Sequence, residues 1–179
     1  MADIKVAGFG GQGVLTAGKL LVDIAASDGK EICWTSSYGA AMRGGTASCT
    51  CIISDEEIGT PYPAKLDILL AMNEPSYEKY KNDVREGGWI IINSSLVNTG
   101  CAPENVHIVK VDATNIAIEV KNDRGANLIM IGAMIKATGI FDVGRFENGL
   151  KEYFEKKKHP NPLNLLCYEL GVRECETVR

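Results

Sequence analysis

The residues nearest the start of the chain that could do chemistry are glycines. "GFGGQGVLTAGKLL", Gly8 to Leu21, contains the spacing Gly8-x-Gly10-x-x-Gly13 and runs on into apolar residues at helical intervals. Glycines so placed let the chain turn sharply out of a strand and let a ligand approach the backbone, while the first N–H groups of the following helix point at any anion held there. The same spacing also serves a turn whose glycines permit packing and nothing more. A second glycine-rich stretch, "SSYGAAMRGGTASC", places Arg43 before Gly44 and Gly45. A permanent positive charge beside an approachable backbone suits a phosphate, a carboxylate or a partner surface, and it equally suits the anchoring of a turn to a carbonyl.

A nicotinamide nucleotide on the first loop would need an acidic side chain at the end of the second strand to hold the ribose hydroxyls. Thr35, Ser36 and Ser37 stand there instead, and Glu31 lies at that strand's beginning. Nucleophilic catalysis finds no better footing. The two histidines, His107 and His159, fall one in an expected strand and one in a charged tail, where a structural or solvated role accounts for them. Six cysteines (Cys33, Cys49, Cys51, Cys101, Cys167 and Cys175) include no C-x-x-C pair and follow no metal-ligand spacing. Cys49 and Cys51, two apart in a strand, share one face and read as small apolar core residues.

The elements that must carry these loops alternate. "DIKVAGFG" (3–10) reads as a buried strand and its turn, residues 13–27 as a helix that Gly29 can end, "EICWTSS" and "ASCTCIIS" as two further strands, and "LDILLAM" as another. "NEPSYEKYKNDV" carries Pro75 near a helix start. "GGWIIIN" and "VHIVKVDA" read as strands, and "TNIAIEVK", 126–137 and "DVGRFENGLKEYFEK" as helices. The last of these turns Phe146, Leu150, Tyr153 and Phe154 to one apolar side. This rhythm predicts a three-layer α/β/α sandwich around a mostly parallel sheet with a Rossmann-like start. The tail after His159 gives no clear element.

A chain of 179 residues with 45% hydrophobic content suits one domain, residues 1–179. A formal net charge of -4 and scattered lysines, apart from Lys156 to Lys158, leave no footprint for nucleic acid. The first residues lack a basic segment followed by a long apolar one, so a cytoplasmic protein is expected. The apolar stretch from Ala126 to Ile140 is too short to span a bilayer and carries Lys136, so no membrane association is expected either.

Taken together, the two glycine loops resemble those of the gamma subunit, or gamma domain, of the 2-oxoacid:ferredoxin oxidoreductases. The likeness continues through "DILLAMNEPSYEKY" and "GGWIIINSSLV" and returns in "NLIMIGAMIKATG", covering about residues 3 to 155. "MRGGTA" is closer to the 2-oxoglutarate and branched-chain types than to the pyruvate type, where R-R-G-A-P is commoner. Where the family often has an acidic residue two positions before the arginine, this chain has Ala41.

The resemblance implies a complex that converts a 2-oxoacid, here expected to be 2-oxoglutarate, and coenzyme A to an acyl-CoA and carbon dioxide while reducing ferredoxin. Thiamine diphosphate and iron–sulfur clusters would belong to partners: alpha and beta (thiamine-bearing) subunits and a ferredoxin-like subunit. The family's G-D-G thiamine motif and the C-x-x-C-x-x-C run of cluster subunits are both missing from this chain. It is therefore expected to bind no cofactor firmly, to supply no catalytic residue or metal ligand, and to be inactive alone. Gly10, Gly11, Gln12 and Gly13, with Ser37, Tyr38, Arg43, Gly44 and Gly45, are expected to share an edge where the carboxyl ends of the first two strands meet, contacting coenzyme A or a neighbouring catalytic subunit. The alternatives are a stand-alone Rossmann-like nucleotide-binding module and a purely structural subunit.

Overall fold

The computed structural model describes residues 1–38, 45–98, 100, 102–156 and 161–178. β1 (Ala2–Phe9) feeds through the first glycine turn into α1 (Val14–Ser27), which buries Leu20, Leu21 and Ile24 against the sheet. Gly29 ends α1 as expected: at φ 76° it lets its own N–H donate to Ala26 O and that of Lys30 donate to Ala25 O. β2 (Glu31–Tyr38), β3 (Thr46–Ser54), β4 (Leu66–Ala71), α2 (Glu74–Tyr80), β5 (Val84–Asn93) and β6 (His107–Val111) follow. The remainder is α3 (Ala113–Glu119), α4 (Ala126–Thr138), α5 (Val143–Glu155), α6 (Leu163–Arg173) and β7 (Glu176–Val178).

The strands form one sheet in the order β2-β3-β1-β4-β5-β6-β7. Its centre is parallel, β1 with β4, β4 with β5 and β5 with β6, whereas β2 with β3, β3 with β1 and β6 with β7 are antiparallel. The sheet is thus mixed, with a parallel core as the alternating pattern led one to expect. The β2–β3 pair differs because parallel neighbours need a crossover of a dozen or more residues. The span from Tyr38 to Thr46 is too short for one, so β3 returns beside β2 in the opposite sense.

Helices cover both faces unequally. One face carries the main core, in which α1, α3, α4, α5 and α6 pack over Ile4, Val6, Cys49, Cys51, Leu70, Ile91 and Val109. The other holds a smaller cluster in which Tyr77 of α2 packs on Leu69, Ile90 and Ile92. α4 is buried all round from Asn127 to Ile135, which explains why its sequence shows no polar stripe. It lies so close to α6 that a Cβ on Gly171 would collide with the backbone of Ile129, and one on Gly132 with Tyr168 O.

Cys49 and Cys51 are buried core residues beneath α1, with their thiols at Val14 O and Gly18 O, each at 3.5 Å. His107 stacks on Trp89 with ring centroids 4.4 Å apart, a packing role. His159 and Cys101 lie outside the described residues. β2 is an outer strand on which Ile32, Trp34 and Tyr38 stay exposed. No helix among the described residues is long and apolar enough to cross a membrane.

Candidate functional site

Because β2 and β1 are each antiparallel to the strand between them, they run the same way and end at the same edge of the sheet. There the two glycine loops meet directly: Gly10 N donates to Gly45 O at 3.0 Å. Phe9 is level with Thr46, and Tyr38 with Ala47, so the start of β3 lies between the two strand ends. The expected shared edge is therefore present for Gly10, Gly11, Gln12, Gly13, Tyr38 and Gly45. Arg43 and Gly44 lie outside the described residues. Ser37 is at the edge, but its side chain points to the other sheet face. Its neighbours Ser36 and Tyr38 pair with Cys49 and Ala47, which line the α1 face, whereas Ser37 pairs with Ser48.

Two glycines in the first loop have positive φ, Gly11 at 102° and Gly13 at 75°. At Gly13 a side chain is excluded twice, by that conformation and by Asn127 Nδ2, which would lie 2.6 Å from an added Cβ. Asn127 uses the space to donate to Gly13 O at 3.2 Å, tying the start of α4 to the start of α1.

Gln12 turns inward. Its Oε1 accepts from Phe9 N at 2.6 Å and from Asn73 Nδ2 at 3.2 Å, and its Nε2 donates to Met72 O at 3.2 Å. Asn73 in turn caps α2, its Oδ1 accepting from Ser76 N at 2.9 Å. The glycine loop is thereby latched to the carboxyl end of β4.

A cleft of about 730 Å³ opens beside this edge. Gly11, Gly13, Leu15, Thr16 and Tyr38 form one side; Asn122, Arg124, Asn127, Phe154, Asn161 and Asn164 form the other. The second side escaped the sequence reading. Its signal was "KNDRGAN" (121–127), a polar, glycine-containing link immediately before a helix, to which no role was given.

An asparagine network holds that side in place: Asn122 Nδ2 donates to Asn164 Oδ1 at 3.1 Å, and Asn161 Nδ2 donates to Asn122 Oδ1 at 3.2 Å. Asn122 also contacts Cys167 Sγ at 3.4 Å, and burial pushes that thiol above its ordinary value. Among the described residues no three His, Cys, Asp or Glu side chains gather to hold a metal ion. Backbone N–H groups, one cation and neutral amides can bind and orient an anionic or polar ligand.

Residues 3–174 match the family described as pyruvate ferredoxin/flavodoxin oxidoreductase. The 2-oxoglutarate synthase subunit KorC of Methanocaldococcus jannaschii is 38% identical over 172 residues, 94% of this chain and 91% of that protein. The ketoisovalerate oxidoreductase subunit VorA of Methanothermobacter marburgensis is 38% identical over 171 residues, again 94% of this chain but 35% of that longer protein. The crystal structure of the keto/oxoacid ferredoxin oxidoreductase gamma subunit from Geobacter sulfurreducens superposes with a TM-score of 0.79 at 28% identity, covering 97% of this chain and 98% of that one.

Proposed function

The chain belongs to the pyruvate ferredoxin/flavodoxin oxidoreductase family as a gamma-type subunit, and on that premise we propose that it contributes the coenzyme A contact in a complex oxidising 2-oxoglutarate. In this reading the thiamine diphosphate and iron–sulfur clusters of partner subunits supply decarboxylation and electron transfer. This chain binds and orients the acyl acceptor beside them and is inactive alone. Ferredoxin is the electron acceptor, and the complex works in the cytoplasm.

The observation that carries the reading is the bond from Gly10 N to Gly45 O. It joins the two loops on which the family likeness rests into one surface at the carboxyl edge of the sheet, where open α/β sheets receive ligands. Gly11, Gly13 and Tyr38 face that surface. Gln12 serves it by fixing the loop, and Arg43, outside the described residues, is assigned from the sequence alone as its cation.

Arg43→Ala in the assembled complex tests the assignment. The expected outcome is a higher KM for coenzyme A with all subunits still co-purifying; loss of co-purifying subunits with an unchanged KM would reassign the edge to subunit docking. Comparable identity to KorC and VorA makes a branched-chain 2-oxoacid the second substrate reading. Ranking kcat/KM for 2-oxoglutarate against 2-oxoisovalerate on the purified complex separates the two.

A further inference from the structure

Lys5 and Lys79 stand over one aromatic ring, that of Tyr80 at the end of α2, with their Nζ atoms 4.8 and 4.9 Å from its centroid. The two ammonium groups are therefore within about 10 Å of each other, one screening length in roughly 0.1 M salt. Among the described residues no carboxylate forms an ion pair with either. The nearby acids are engaged elsewhere: Glu78 pairs with Lys81, Asp67 pairs with Arg85, and Asp3 lies under the charge of Arg85.

Hydroxyls complete the cluster. Lys5 Nζ donates to Thr50 Oγ1 at 2.9 Å, and the Tyr80 phenol lies 3.3 Å from Ser48 Oγ. Burial would raise that phenol, but the hydrogen bonds with Ser48 and Lys79 and the charges of Lys79 and Lys5 outweigh it and hold it below its ordinary value. A phenol so placed is a strong donor to an oxyanion.

Strand register extends this polar strip. Lys5, Thr50 and Thr35 are level across β1, β3 and β2, and Ser48 is level with Ser37. Three adjacent strands span about 10 Å, so the strip runs from the lysines to the outer strand, where Ser37 is exposed. The apolar cluster under α2 draws on Leu69, Ile90 and Ile108 of β4, β5 and β6, and on no described residue of β1, β3 or β2. A cationic, hydroxyl-lined part of the sheet thus lies opposite α1 and outside the 730 Å³ cleft.

Shape and charge select the occupant. A small ligand needs a concave pocket, whereas this strip is spread over the breadth of three strands. Two cations without counter-charges, beside a phenol, match the carboxylates of a polypeptide. Resting on membership of the family as a gamma-type subunit, and not on the coenzyme A reading, we propose that the strip docks an acidic segment of a partner subunit. Its carboxylates sit by Lys5 and Lys79 and accept from the Tyr80 phenol.

The test uses the assembled complex. Zero-length carbodiimide coupling followed by peptide mass spectrometry should join Lys5 or Lys79 to an Asp or Glu of a partner subunit. Amine acetylation should be slower at both lysines in the complex than in the isolated chain. In a dilution series followed by analytical ultracentrifugation at low salt, Lys79→Glu should release the chain at about tenfold higher concentration, a difference that molar salt reduces to within about twofold. Tyr80→Phe, which keeps the ring and loses the donor, should weaken retention about threefold. Lys79→Arg should hold as the parent does, and so should Lys19→Glu, the same charge change at an exposed position of α1 on the opposite face. Lys79 is exposed, so the isolated Lys79→Glu chain should melt within about 2 °C of the parent.

Equal acetylation of both lysines in the complex and in the isolated chain would overturn the proposal. So would coupling confined to carboxylates of the same copy, coupling to a second copy of this chain, or protection of the isolated chain by inorganic phosphate, which would mark a small-anion site. An equal loss of retention in Lys19→Glu would reduce the effect to net charge and overturn it too. None of these readouts depends on coenzyme A saturation.

Discussion

Replacing Gln12 with alanine should destabilise the fold before it affects any ligand. The side chain makes three hydrogen bonds, accepting from Phe9 N and Asn73 Nδ2 and donating to Met72 O. Each is worth about 0.5–1.5 kcal/mol net, and the partly buried Phe9 N–H would lose its side-chain partner, so the loss sums to about 2–3 kcal/mol. In a chain of this size each kcal/mol lowers Tm by about 2–4 °C, which gives a fall of about 4–12 °C. A thermal melt followed by far-ultraviolet circular dichroism or calorimetry measures it. Gln12→Glu should fall between, because it keeps the acceptor for Phe9 and Asn73 but cannot donate to Met72 O. A Gln12→Ala melt within about 1 °C of the parent, accompanied by a raised KM for coenzyme A, would refute the latch and show that Gln12 reaches outward to ligand.

Other perturbations test the frame that holds the site. Gly171→Ala should cost about 3 kcal/mol, read as a denaturant midpoint shift, because its Cβ would lie 2.7 Å from the carbonyl carbon of Ile129 and only backbone could yield. Asp3 has a carboxyl pushed above its ordinary 3.8 by burial, partly offset by Arg85. An acid with a raised folded-state value contributes fully below about 3.8 and loses that contribution as pH rises through the raised value. Asp3→Asn should therefore melt higher than the parent near pH 7, with the difference closing towards pH 3 in a pH series of melts. A hydrogen bond with Cys49, together with burial, pushes the Cys51 thiol well above its ordinary value. Mass-spectrometric mapping of alkylation in the native chain should find Cys33 and Cys175, both half-buried, modified before Cys49, Cys51 and Cys167.

Most of the architecture could be read from local pattern. Strand, glycine turn and helix at the start, the Gly29 stop and the buried helix from Ala126 all follow from spacing and from residues with restricted or unusual backbone freedom. What local pattern could not carry was pairing. The sense of β3 depends on a short link rather than on its own residues, and β7 with α6 depends on contacts made after the whole domain has assembled.

The site divides in the same way. Gly10 and Gly45 could be paired because each loop has its own signature. Arg124, Asn127 and Asn164 could not, since they reach the glycine loop only through the packing of α4 and α6. The orientation of Ser37 away from the cleft is a parity matter, set by strand register and invisible in composition.

The outer strand β2 has a consequence for how this protein must be made. Eight residues of main chain end the sheet on that side, with Ile32, Trp34 and Tyr38 exposed along them. No other described strand pairs with that outer side. Such a border templates a strand from any source, a half-folded sister copy included. Any element that covers this border while the chain folds would keep it from pairing with a second copy.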